Sequence, residues 1–204
     1  MSVTSAVKRR RLVGKQAPRM ADRLVASPLE LGVKFVQQSG SYSHTALFRS
    51  DGRAVAYGDN THRQCNLPDL VEPMVYKQVS AGATHTVLIR SDGCAVAVGG
   101  NSSGQCDLAR MDAGVTVEQV SAGGAHTVLL LSNGHVMACG ENSSGQCDVP
   151  ALGAGEKYVQ VNAGWSHTDL ITAGGCVLQC GRPQAFGAGG VMAQPSLRPG
   201  VVQR

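Results

Sequence analysis

Aromatic side chains are scarce in this sequence, with three Phe, four Tyr and one Trp among 204 residues. A core must therefore be built from Val, Leu, Ala and Cys rather than from rings. Long apolar runs are missing as well. No window approaches the roughly 18 apolar residues of a membrane-spanning helix. The apolar run after the first basic cluster, Leu12-Val13-Gly14, is far too short for a secretory signal. No C-x-x-C pair occurs and the seven cysteines are odd in number, so free thiols in a reducing intracellular compartment are expected. There is no G-x-S-x-G, phosphate-binding loop or dinucleotide fingerprint, and no pair of carboxylates at a spacing suited to acid–base work. These absences point away from an enzyme and from a bound cofactor.

Positive charge is present but confined. The first 23 residues hold Lys8, Arg9, Arg10, Arg11, Lys15, Arg19 and Arg23 against one acid, Asp22, which leaves the rest of the chain slightly acidic. Any attraction to nucleic acid thus belongs to the start of the chain, not to its body. The cluster Lys8, Arg9, Arg10, Arg11 has the composition of a minimal nuclear-import signal or a phosphate-contacting arm. An Arg-rich, acid-poor start also keeps mitochondrial import open.

Glycine is abundant, and its placement is periodic. The pairs His44-Thr45, His85-Thr86, His126-Thr127 and His167-Thr168 recur every 41 residues. The same period relates Gly52, Gly93, Gly134 and Gly175, and again Gly58, Gly99, Gly140 and Gly181. Asn60, Asn101 and Asn142 keep it, as do Gln64-Cys65, Gln105-Cys106 and Gln146-Cys147. Several registers locked to one period mean stacked copies of one supersecondary unit.

Each unit reads as three short strands. A β-prone run such as Tyr76-Lys77-Gln78-Val79 leads to an Ala-Gly step, where the backbone bends or packs closely. His-Thr-Val-Leu-Ile forms the second strand and ends at Asp51-Gly52, Asp92-Gly93, Asn133-Gly134 or Gly174-Gly175. These dipeptides predict a two-residue type I′ hairpin. The third strand, as in Ala95-Val96-Ala97-Val98, is apolar on both faces, with small residues opposing larger ones. A sheet buried on both faces needs neighbours on both sides, which radially stacked antiparallel sheets provide.

The stretch from Val79-Ser80-Ala81-Gly82 through His85-Thr86-Val87-Leu88, Asp92-Gly93 and Gly99-Gly100-Asn101-Ser102-Ser103-Gly104-Gln105 resembles the repeat of the RCC1 (regulator of chromosome condensation) superfamily. The unit is compact, and Cys65, Cys106 and Cys147 stand where Leu commonly follows Gly-Gln in that family. The resemblance implies an all-β, RCC1-like β-propeller. Seven such units need far more than 204 residues, so an incomplete arc of about four blades is expected. The predicted organisation is a basic segment at 1–32, repeats at 33–73, 74–114, 115–155 and 156–187, and a tail at 188–204. An open arc leaves two blade faces uncovered, which predicts self-association through them.

The repeated histidines could suggest a metal ring. Equivalent positions on stacked sheets lie about 10 Å apart, however, while zinc needs ligands at about 2.0–2.3 Å. A structural role is expected instead for His44, His85, His126 and His167, each hydrogen-bonded inside its own blade. The cysteines are expected to pack as small buried hydrophobes. No catalytic, cofactor or metal residue is assigned.

The functional expectation is a non-catalytic protein–protein interaction module of unidentified partner. The stretches 67–75, 108–116 and 149–158 vary between repeats and would form part of its surface. The family resemblance implies two alternatives. One is a regulatory or substrate-recognition part of a HERC-type E3 ubiquitin ligase. The other is a chromatin or small-GTPase regulator acting by guanine nucleotide exchange. The expected location is intracellular, cytoplasmic or nuclear, without a membrane anchor.

Overall fold

The computed structural model describes residues 32–182. The cluster Lys8, Arg9, Arg10, Arg11 and the 188–204 tail lie outside the described residues. Four three-stranded antiparallel sheets follow one another along the chain, each with its strands in sequence order. The first blade holds β1 (Phe35–Gly40), β2 (His44–Arg49) and β3 (Ala54–Gly58). The second holds β4 (Tyr76–Ala81), β5 (His85–Arg90) and β6 (Ala95–Gly99). The third holds β7 (Val117–Ala122), β8 (His126–Leu131) and β9 (Val136–Gly140). The fourth holds β10 (Tyr158–Ala163), β11 (His167–Thr172) and β12 (Val177–Gly181). The sheets stack as an arc of four propeller blades. Among the described residues each blade packs on the next, while the first and fourth do not pack together.

The core lies between blades rather than within them. The second blade brings Val87 and Ile89 with Ala95 and Ala97 against Val117, Val120, Leu129 and Leu131 of the third. The third blade meets the fourth in the same way, with Val128 and Leu130 against Tyr158, Val161 and Leu170. Burying each such side chain stabilises the fold by roughly 1.5–3 kcal/mol. The strand buried on both faces is the middle one, β5 or β8, where nearly every residue is buried. The third strands are half-buried along their length. They stand at the edge of each sheet, yet in the second blade Ala95 and Ala97 pack on one interblade core and Val96 on the other.

The hairpin between second and third strands also differs from expectation. Gly52 adopts a φ of 80°, but Asp51 keeps negative φ. The Gly52 amide donates to the Arg49 carbonyl at 3.0 Å and the Arg49 amide to the Arg53 carbonyl at 2.8 Å. That is a three-residue loop, a type I turn closed by a left-handed glycine, not a two-residue I′ turn. The side chain of Asp51 decides it by accepting the Arg53 amide at 3.2 Å. Asp92 and Asn133 do the same for Cys94 and His135. A Cβ at Gly52 would sit 2.5 Å from Val75 of the entering segment, so the turn also seats the next blade.

Candidate interaction surface

The repeated residues build a lattice of hydrogen bonds that joins blade to blade. Thr86 Oγ1 lies 2.7 Å from the Gln64 carbonyl, which can only accept, so the hydroxyl proton goes there. The same oxygen therefore accepts from His44 Nε2, 2.7 Å away. His85 reaches Thr127 and His126 reaches Thr168 in the same way, both at 3.0 Å. Each of these histidines thus bonds the blade that follows, which corrects the expectation of bonds confined to its own blade. Donation from Nε2 leaves Nδ1 as a bare acceptor. In the first blade Ser41 Oγ lies 3.1 Å from it. At His85 and His126 the Nδ1 is buried without a partner. Protonating it would bury a charge that nothing solvates. Burial, reinforced by neighbouring histidines, accordingly lowers both pKa values to about 4.

A second contact along the first strands was not singled out from the sequence. Gln37 clamps the main chain of Val79, donating from Nε2 to its carbonyl at 3.1 Å and accepting its amide at 3.2 Å. Gln78 clamps Val120 and Gln119 clamps Val161 with the same pair of bonds. Ser39, Ser80 and Ser121 accept the amides of Ala81, Ala122 and Ala163. The signal was available, because Gln37, Gln78, Gln119 and Gln160 keep the 41-residue period.

The Asn and Gln-Cys positions close a compact loop after each third strand. Asn101 Oδ1 accepts the Cys106 amide at 2.8 Å while its Nδ2 donates to Asp107. Asn60 and Asn142 repeat this with Cys65 and Cys147. The buried side chains of Gln64, Gln105 and Gln146 each accept an amide two residues back. The Cys65, Cys106 and Cys147 thiols point at the carbonyls of residues 59, 100 and 141 at 3.3–3.4 Å. Burial raises the Cys106 and Cys147 pKa values to about 11, which makes them poor nucleophiles. Gly99, with φ of 118°, starts the loop, and a Cβ there would stand 2.5 Å from the Thr84 carbonyl. Gly58, Gly140 and Gly181 share its positive φ, as Gly93, Gly134 and Gly175 share that of Gly52. Cys94 and Cys176 are exposed, contrary to the expectation for the cysteines as a group. No cluster of three metal-ligating side chains occurs among the described residues.

The strand order gives the arc two loop faces. One carries the turns between first and second strands together with the Asn-Gln-Cys loops. The other carries the hairpins and the variable stretches 67–75, 108–116 and 149–158. On this second face the 149–156 segment walls a shallow groove with Gly134 and His135. The first face presents aromatics that the sequence reading did not place. Tyr42, Ala83, Gly124 and Trp165 are one repeat position at the turn tips. Tyr42 is 98% exposed and Trp165 is 46% exposed. Trp165 lies over Gly124, where a Cβ would come within 3.2 Å of its ring. Two aromatic anchors on a rigid loop face have the composition of binding hot spots.

The family model for the regulator of chromosome condensation (RCC1) repeat matches residues 76–105 and 117–146. Comparison with curated protein sequences gives no match. Among solved structures the chain is similar in fold to Prp20p from Saccharomyces cerevisiae, with 17% identity and a TM-score of 0.64 over 76% of this chain and 47% of that one. Human WBSCR16 is similar at 20% identity and a TM-score of 0.62, covering 73% of this chain and 47% of its own. The ectodomain of the Arabidopsis thaliana receptor kinase ACR4 aligns at 18% identity and a TM-score of 0.58, over 74% and 54% of the two chains. The chain thus spans about half the length of these structures. Among the described residues no helix is long and apolar enough to cross a membrane.

Proposed function

Because the chain carries RCC1 repeats on a four-blade arc, we propose that it is a non-catalytic module for protein–protein interaction. The observation that carries this reading is the division of labour among its residues. The periodic His, Thr, Gln and Ser side chains are engaged in holding blades together, and the Asn side chains in closing the loops after the third strands. The loop faces carry residues that differ between repeats and stand exposed, above all Tyr42 and Trp165. An exposed Tyr and Trp supply large contact area at low cost in side-chain entropy. The partner is accordingly a protein that docks across the turn tips and buries both rings.

The test is capture of partners by the full chain and by a Tyr42→Ala, Trp165→Ala variant of unchanged circular dichroism. Specific partners should bind the variant at least ten-fold more weakly. Equal binding by both would remove this face from the reading and move attention to the 67–75, 108–116 and 149–158 face.

Fold likeness to Prp20p, a protein described with its binding properties to Gsp1p and histones, supports a second reading as a chromatin or small-GTPase regulator. Purified histones and a GDP-loaded GTPase of the Gsp1p kind are the probes. No histone binding and no faster GDP release would remove that reading and leave the first in place.

A further inference from the structure

One cross-strand pair sits at the centre of every interblade core. It is Ala46–Ala56 in the first blade, Val87–Ala97 in the second and Val128–Ala138 in the third. Ala46, Val87 and Val128 are fully buried by the blade that follows. In the fourth blade the pair is Asp169–Gln179. Gln179 Nε2 donates to Asp169 Oδ1 at 2.6 Å, and His167 Nε2 lies 3.6 Å from the other carboxylate oxygen. The Asp169 side chain stays 32% exposed. Along β11 the face bearing His167, Asp169 and Ile171 is half-buried, while Thr168, Leu170 and Thr172 on the opposite face are buried.

The glutamine and histidine docking contacts have their residues at the two ends of the arc. Gln160 stands where Gln37, Gln78 and Gln119 clamp the next blade, and His167 where three histidines reach the next threonine. At the opposite end, the main chain of Gln38 and the hydroxyl of Thr45 occupy the positions that are clamped and reached in the later blades. Phe35 is 42% exposed there, whereas its counterparts Tyr76, Val117 and Tyr158 are 4–5% exposed. The fourth-blade face of one copy therefore matches the first-blade face of another in hydrogen-bond register. Such a head-to-tail contact adds copies without limit unless a ring closes.

Two positions break the match: Asn162 stands where Ser39, Ser80 and Ser121 accept an amide of the next blade, and the central pair carries a charge. Docking a blade there would take the Asp169 carboxylate out of water with one amide donor and an imidazole for company, and desolvation outweighs such partial pairing. A charge set into a sheet face is an established way to stop unwanted sheet association. We infer that the Asp169–Gln179 pair caps the arc, keeping the fourth-blade face wet and rejecting head-to-tail docking of a second copy.

The test is light scattering of the full chain and of the Asp169→Val, Gln179→Ala variant, which restores the pair of the third blade, across a concentration series at neutral pH. The variant should at least double in mass with concentration, and adding Phe35→Asp at the opposite end should return it to the mass of the parent. An unchanged mass, or association that survives Phe35→Asp, overturns the cap. If the variant does not fold by circular dichroism, amide exchange of the parent decides. Exchange along β11 and β12 that is independent of concentration supports the cap, and protection that grows with concentration overturns it.

Discussion

The middle blades and the end blades carry the same motif in different surroundings. His85 and His126 are fully buried between two sheets, while His167 keeps part of its ring exposed on a face that no described sheet covers. Val128 is fully buried where its fourth-blade equivalent is the half-exposed Asp169. The difference teaches that a repeat position has no fixed energy. Its contribution depends on whether a neighbour removes it from water, as expected for stacked units stabilised through their interfaces.

The largest effect that would sharpen this comparison is acid unfolding. His85 and His126 have folded pKa values of about 4, below the ordinary value of 6.5. The unfolded chain therefore takes up protons first as pH falls. Stability is full above about pH 6.5 and is lost progressively between that and pH 4, by about 3 kcal/mol for each histidine. Urea midpoints measured from pH 7.5 to 4.5 should fall steeply, and a His85→Gln, His126→Gln variant should flatten the profile. A parent profile already flat across this window would break the account of buried neutral rings.

A smaller effect separates an occupied clamp from an empty one. Gln119→Ala removes two hydrogen bonds to Val161 and leaves its main-chain groups without them, at a cost of about 2 kcal/mol. Gln160→Ala, at the same repeat position beyond which no described blade stands, should change stability by under about 0.5 kcal/mol. Denaturant unfolding of the two single variants gives the difference directly. Equal losses would mean that the fourth blade has a neighbour supplied from elsewhere.

The smallest effect is chemical rather than energetic. Exposed Cys94 and Cys176 should react with a thiol reagent in the native state, whereas Cys106 and Cys147 should react only on unfolding. Thiol counting with and without denaturant tests this. Native labelling of Cys106 would mean that the Asn-Gln-Cys loop opens readily.

Much of the fold was legible because it rests on local pattern. The 41-residue period, three strands per unit, and a turn at each Asp-Gly or Asn-Gly follow from spacing and from glycine alone. The candidate surface was legible only in part. Variable stretches were visible as breaks in the repeat, but the exposure of Tyr42 and Trp165 was not, because a single aromatic in a turn reads the same whether covered or bare.

What the sequence determined by itself is the unit, its period and its strands and turns, since identical spacing demands identical local structure. Tertiary structure alone decided four things. It chose the partner of each histidine, the three-residue hairpin, the middle strand as the buried one, and the fourth-blade face as the wet one. The physical reason is the same in each case: hydrogen-bond partners and burial are properties of the neighbouring blade, 41 residues away in sequence and in contact only in space.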